Sequence, residues 1–223
     1  MADPHPPSPE TSTPEPDLAD RILEGYWAHR LEHGTPPPSG YALAQKLGIS
    51  ERELFQHFSS LDSLEAATWE RLVAKTIATL QADADYPAYP ARQKILAFHF
   101  TYFEHALNQR SRLLQAFPRF KPGPVPCPLK AARKTFERWA EEVVQEGIES
   151  QEFADRKGLT DRYPQALFGV FWYVADFNLR DTSYRFEDTD ALVEKVVSTF
   201  ADGASNSFLD SAFDLARFLI GRR

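Results

Sequence analysis

Apolar residues recur three and four positions apart through most of this 223-residue chain, whereas sustained period-two alternation and Asn-Gly turn dipeptides are missing. That pattern restricts the chain to helices packed on helices, an all-α fold. A hydrophobic share of 43%, with aromatics at 13%, is enough for a core. The start of the chain departs from this. Residues 1–16 are Pro, Ser, Thr and acid with almost nothing to bury, so a disordered tail is expected there.

Capping residues divide the remainder into helices. Asp17 is a candidate N-cap for a first helix through Ile22, Tyr26, Trp27 and Leu31, and Gly34 ends it before Pro36, Pro37 and Pro38. Ser39 caps a second helix that stops at Gly48, Ser50 caps a third, and a fourth runs from Leu61 or Asp62 towards Ala82. The segment 83–92 carries two prolines and no helical stripe, and marks the expected boundary between domains at 17–82 and 83–223. Helices are expected beyond it near 91–107, 110–117, 129–149, 161–180, 188–203 and 206–220, with a proline-rich loop at 118–128.

Several function classes find no support. There is no phosphate-binding loop, dinucleotide glycine fingerprint, nucleophile elbow or His-Glu-x-x-His motif, so the chain reads as a binding protein rather than an enzyme, with no cofactor expected. His29 and His33 lie one helical turn apart but lack a third ligand, and no metal site is expected. Cys127 is the only cysteine, which excludes an internal disulfide. The longest apolar run, 166–175, falls short of the ~20 residues a membrane span needs. With no secretion signal at the start, a soluble cytoplasmic protein is expected.

Two short helices joined by Gly48-Ile49-Ser50 and followed by Leu54, Phe55, His57, Phe58, Ser60 and Leu64 at fixed spacing resemble the helix-turn-helix domain of TetR-family transcriptional regulators. The resemblance implies a homodimer whose recognition helices, about 50–57, enter successive major grooves of duplex DNA. It also implies a helical second domain that dimerises through four-helix packing and holds a hydrophobic small-molecule effector. Carried over position by position, the DNA-contacting set is Ser39, Tyr41, Lys46, Ser50, Arg52, Glu53, Phe55, Gln56 and His57.

That set departs from the family pattern. Glu51 stands where relatives often carry a cation, Phe55 lacks the usual tyrosine hydroxyl, and Leu61 replaces a common lysine. Between residues 17 and 75 six Lys and Arg face nine Asp and Glu. Phosphate neutralisation supplies most non-specific affinity, so an acidic reader binds DNA weakly at physiological salt. Glu53 can nevertheless accept from cytosine N4. The alternative is a TetR-fold protein that binds lipid or another hydrophobic molecule and has lost DNA binding.

Charge missing from the reader reappears later. From Ala106 to Lys134 there is no acid, but Arg110, Arg112, Arg119, Lys121, Lys130, Arg133 and Lys134 are interleaved with Leu113, Leu114, Phe117 and Phe120. Two readings stay open: these cations cap helices and pair with acids such as Glu137, or they form a patch for an anionic partner such as a membrane surface or an acidic protein. The aromatics also carry two readings, core packing or the lining of an effector cavity. The cavity set is Phe98, His99, Tyr102, Trp139, Phe168, Trp172, Tyr173 and Asp176. The block 166–174 is apolar almost all round and needs cover on two sides, one of them a second subunit.

Overall fold

The computed structural model describes residues 17–156 and 158–205. The expected tail 1–16 and the expected helix near 206–220 lie outside them. The described residues form nine α-helices and no strand, in the all-α class that the periodicity requires. They fall into two compact units that divide between Ser59 and Ser60.

The first unit holds α1 (Leu18–His33), α2 (Gly40–Leu47) and α3 (Glu51–His57). α1 buries Ile22, Leu23, Tyr26 and Trp27, a spacing that places all four on one face. Asp17 precedes it as expected, but its side chain makes no cap; the backbone carbonyl accepts from Arg21 N instead. Gly34 and Gly48 end α1 and α2 in the left-handed region, with φ of 74° and 68°, where side chains other than glycine are strained. Gly40 lets α3 approach α2 closely: a Cβ there would lie 2.6 Å from the Phe55 ring.

The second unit holds α4 (Leu61–Gln81), α5 (Ala91–Leu107), α6 (Arg110–Ala116), α7 (Lys130–Glu149), α8 (Tyr163–Arg180) and α9 (Glu187–Ala204). The sequence suggests a division at 83–92, yet α4 belongs to this later unit because it packs along α5 and α7. Trp69 on α4 meets the Phe117 ring edge-on, and Thr135 on α7 donates to Glu70. Proline interrupts the chain at 83–92 without separating what lies on either side.

Rings from α5, α7 and α8 form the core of this unit. Phe98 stacks on Trp139 at 4.6 Å between centroids and meets Phe136 and Phe171 edge-on at 5.0 and 5.4 Å. Tyr102 meets Phe171 at 4.7 Å, and Phe136 lies parallel to Phe171 at 5.3 Å. Polar ties surround the cluster. Trp139 Nε1 donates to Tyr86 Oη, buried Lys94 sits over the Tyr86 ring and pairs with Glu146, and Glu152 accepts from Ala91 N and Arg92 N at the start of α5. Asp202-Gly203, a dipeptide typical of hairpins, lies inside α9.

Truncating Phe98, which is 0% exposed and touched by rings on several sides, leaves a cavity that its stacked neighbours cannot fill. Phe98→Ala is expected to destabilise the second unit by ~3–5 kcal/mol, read as a lowered urea midpoint in near-ultraviolet circular dichroism.

Candidate functional site

The helix-turn-helix of the first unit is built by its caps. Ser39 Oγ accepts from Ala42 N at 3.1 Å, fixing the start of α2. Ser50 and Glu53 form a reciprocal capping box on α3: Ser50 Oγ accepts from Glu53 N at 3.2 Å, and the Glu53 carboxylate accepts from Ser50 N at 2.7 Å. Ser50 Oγ also lies 2.7 Å from that carboxylate. These hydrogen bonds hold the Glu53 carboxyl below its ordinary range, so it stays ionised.

Capping therefore occupies three of the positions expected to meet DNA, Ser39, Ser50 and Glu53. Of α3, only Leu54 and the following Phe58 turn inward, while Glu51, Arg52, Glu53, Phe55, Gln56 and His57 all face solvent. Phe55 is 44% exposed although one end of its ring packs against Gly40. On α2, Tyr41 is 56% exposed and its hydroxyl accepts from Gln45 Nε2. Lys46 pairs with Glu32 at 3.3 Å, so Arg52 is the cation of this face that has no partner among the described residues. α2 and α3 together carry two carboxylates, Glu51 and Glu53, and those two cations.

The eight candidates for an effector cavity divide into two groups. Phe98, Tyr102, Trp139 and Phe168 belong to the ring cluster, and Phe98 and Trp139 stack directly on each other. His99 is fully buried beside them; its Nδ1–H donates to the Ile95 carbonyl at 2.8 Å, leaving Nε2 without a partner among rings. Burial pushes its pKa down to about 4, and burial pushes that of the Tyr102 hydroxyl up. Trp172, Tyr173 and Asp176 instead meet residues 118–120, with Trp172 and Asp176 buried there and Tyr173 39% exposed. Asp176 is almost fully buried but already neutralised, by Arg119 Nε at 3.1 Å and by Arg180.

The basic stretch is also divided. Arg110 donates to the Asn178 and Leu179 carbonyls at the end of α8 and covers the Phe186 ring; Arg133 pairs with Glu137 at 2.6 Å; Arg119 holds Asp176. Lys121, Lys130 and Lys134 have no partner among the described residues. The neighbouring rings turn inward: Phe117 packs on Trp69, and Phe120 meets Trp172 and Tyr173 edge-on at 5.1 and 5.3 Å. Two large apolar side chains of the stretch do face outward, Leu107 at 56% exposed and Leu114 at 60%.

Segment 118–128 folds back over α7 and α8, pinned by Arg119 to Asp176 and by Trp172 Nε1 donating to the Pro118 carbonyl at 2.8 Å. Between this strap and the two helices lies a groove of about 270 Å³, bordered by Phe120, Lys121, Arg133, Gln165, Phe168 and Trp172. The sequence did not reveal Gln165 or the central ring Phe136 as important. Phe136 sits one helical step before Trp139 and could have been found from that spacing; Gln165 depends on the strap's path, which no local pattern records.

Among the described residues no His, Cys, Asp and Glu gather as a metal site; the His29 and His33 rings lie 4.3 Å apart, and His33 Nε2 lies 3.5 Å from the Glu32 carboxylate. Among the described residues no helix is long and apolar enough to cross a membrane. Residues 94–219 match the family model of tetracyclin repressor-like C-terminal domains. None of the curated proteins matches the sequence. Among solved structures, the fatty acid degradation regulator FadR from Bacillus halodurans superposes with a TM-score of 0.59 at 16% identity, covering 85% of this chain and 97% of that one. A protein assigned to the tetR family of transcription regulators from Shewanella sp. PV-4 gives 0.56 at 14%, covering 80% and 95%. A protein of unknown function from Rhodococcus sp. RHA1 gives 0.55 at 19%, covering 88% and 100%. At such identities the likeness is one of fold.

The buried His99 has a pH signature. Its folded pKa of about 4 lies below the ordinary histidine value of 6.5, so the unfolded chain binds more protons in between and stability falls as pH drops through that window. The slope from this group is at most ~1.4 kcal/mol per pH unit. Urea midpoints measured from pH 7 to 4 are expected to fall less steeply in His99→Met than in the parent.

Proposed function

The chain belongs to the TetR family, and on that premise we propose that it is a homodimeric DNA-binding transcriptional regulator whose second unit answers a small, largely apolar effector. The observation that carries the DNA half is the capped α2–α3 module. Its recognition helix turns six consecutive-turn side chains to solvent and commits only Leu54 inward. Arg52 and Gln56 are the base-edge readers, since guanidinium and carboxamide are the groups that pair bidentately with guanine and adenine. Ser39, Tyr41, Lys46, Phe55 and His57 border them, and Ser50 and Glu53 hold the helix start rather than read sequence.

The dimer uses the outward side of α8 and α9. Ala166, Val170, Tyr173 and Phe177 follow one another at spacings of four, three and four along α8 and are not fully covered, and Leu192, Val196 and Phe200 on α9 are half-buried. An apolar stripe of this kind on two adjacent helices suits a self-complementary four-helix contact. Val170→Asp is expected to convert dimer to monomer in sedimentation velocity while leaving helix content unchanged.

A second reading rests on charge. Glu51 is exposed without a partner, and Lys46 shares its charge with Glu32. A reader so poor in cations suits a TetR-fold protein that binds its apolar ligand and no DNA. Lys121, Lys130 and Lys134 would then serve an anionic partner, an acidic protein surface more readily than a bilayer, since the strap's rings face inward.

Binding to duplex DNA, measured against salt, separates the two. The regulator reading predicts that Arg52→Ala weakens binding by ~1–3 kcal/mol, and that Glu51→Lys strengthens it and steepens the log–log salt dependence by about one. Absence of binding by parent and Glu51→Lys alike, even at low salt, overturns the DNA reading.

A further inference from the structure

We propose that the groove beneath the strap is a binding site for a small aromatic monocarboxylate. The inference deepens the effector half of the proposed function and rests on it only for the consequence of binding. Three features define the occupant. Size is the first: about 270 Å³ falls just below the ~300–1,000 Å³ of clefts that enclose drug-sized molecules, which leaves room for one ring and a short polar arm.

The second feature is the wall. Phe120, Phe168 and Trp172 border the groove, and the Trp172 indole N–H is already given to the Pro118 carbonyl, so this side offers ring faces and edges. Flat rings are favoured against such a wall by offset or edge-on contact. Gly169, on the α8 side, has no atom within 4 Å of where its Cβ would be, so the space above the helix is open.

Charge is the third. No Asp or Glu borders the groove, whereas Lys121 and Arg133 both do. Arg133 is 33% exposed, and its Nε is held by Glu137 at 2.6 Å, which fixes the plane of the guanidinium. Its terminal amino groups meet no acceptor among the described residues. An oriented, half-buried guanidinium with two free donors matches the two oxygens of a carboxylate. Counting Glu137 against Arg133 and Lys121 leaves one net positive charge, which fits a monoanion rather than a dianion. Gln165 adds a neutral donor at the rim.

The site also has a route to the rest of the unit. Thr135, two residues beyond Arg133 on α7, donates to Glu70 on α4 at 3.1 Å, and α4 follows directly from the helix-turn-helix unit. A ligand that draws on Arg133 acts on the α7 segment that holds α4.

Calorimetric titration of the full chain with benzoate, phenylacetate, phenylacetamide and inorganic phosphate tests this. Expected are one-to-one binding of a carboxylate, at least tenfold weaker binding of the amide, and no competition by phosphate. Arg133→Gln lowers carboxylate affinity about tenfold or more. Gly169→Leu abolishes binding with thermal stability kept or raised, since it fills the groove from an open helical position. Equal affinity for acid and amide, no effect of Arg133→Gln, competition by phosphate, or no heat with either carboxylate overturns the proposal. DNA affinity is measured on the same samples without ligand and with saturating carboxylate. A failed groove thus leaves the DNA reading standing, and carboxylate binding that leaves DNA affinity unchanged supports the groove while removing effector control.

Discussion

Mutual contact among the rings of Phe98, Tyr102, Phe136, Trp139, Phe168 and Phe171 holds α5, α7 and α8 in place, and most other features of the second unit follow from it. Each ring pair contributes ~0.5–1.5 kcal/mol beyond area burial, so a connected set of them is a strong constraint on helix spacing. Rings that touch one another cannot also line a void between them. The groove proposed for a ligand accordingly lies further out, on the side of α8 where Phe168 and Trp172 are continuous with the core and where the strap adds Phe120 and Lys121. His99 shows the cost of such packing, a neutral imidazole kept among rings with one nitrogen unpartnered.

The charge distribution follows a related division of labour. Most of the basic stretch is consumed in holding the unit together: Arg110 closes the end of α8, Arg119 latches the strap to Asp176, and Arg133 is oriented by Glu137. The exposed lysines are left over. In the first unit the acids do comparable structural work, since Glu53 caps α3 and Glu32 holds Lys46. An acidic reader is thus partly an artefact of counting formal charges, because a carboxylate engaged with backbone N–H groups presents less negative field to a phosphate than a free one. Glu51 has no such engagement and remains the residue most opposed to DNA.

Much of the fold could be read from local signals. Ser39, Ser50, Gly34 and Gly48 give helix ends because capping is a contest among neighbours in sequence, settled within a few residues. Asp17 shows the limit of that logic, as its backbone alone serves the cap. Glu53 illustrates a signal present but read for another purpose: Ser50 followed three residues later by Glu is the pattern of a capping box. The grouping of α4 with α5 and α7 was not legible, since prolines at 87 and 90 mark a turn and say nothing of what packs across it. Likewise the pairing of Arg119 with Asp176 joins residues far apart in the chain, and the groove exists only once that latch has laid the strap across α8.

The account depends most on the ring cluster being a closed, well-packed core. Hydrogen exchange at the Trp139 indole N–H, buried and donated to Tyr86 Oη, reports on it directly. Exchange that occurs only through global unfolding, with a protection free energy equal to that of the whole second unit, is the predicted result. Exchange at the rate of a solvent-exposed indole under native conditions would show that the interior opens to water and would contradict the account.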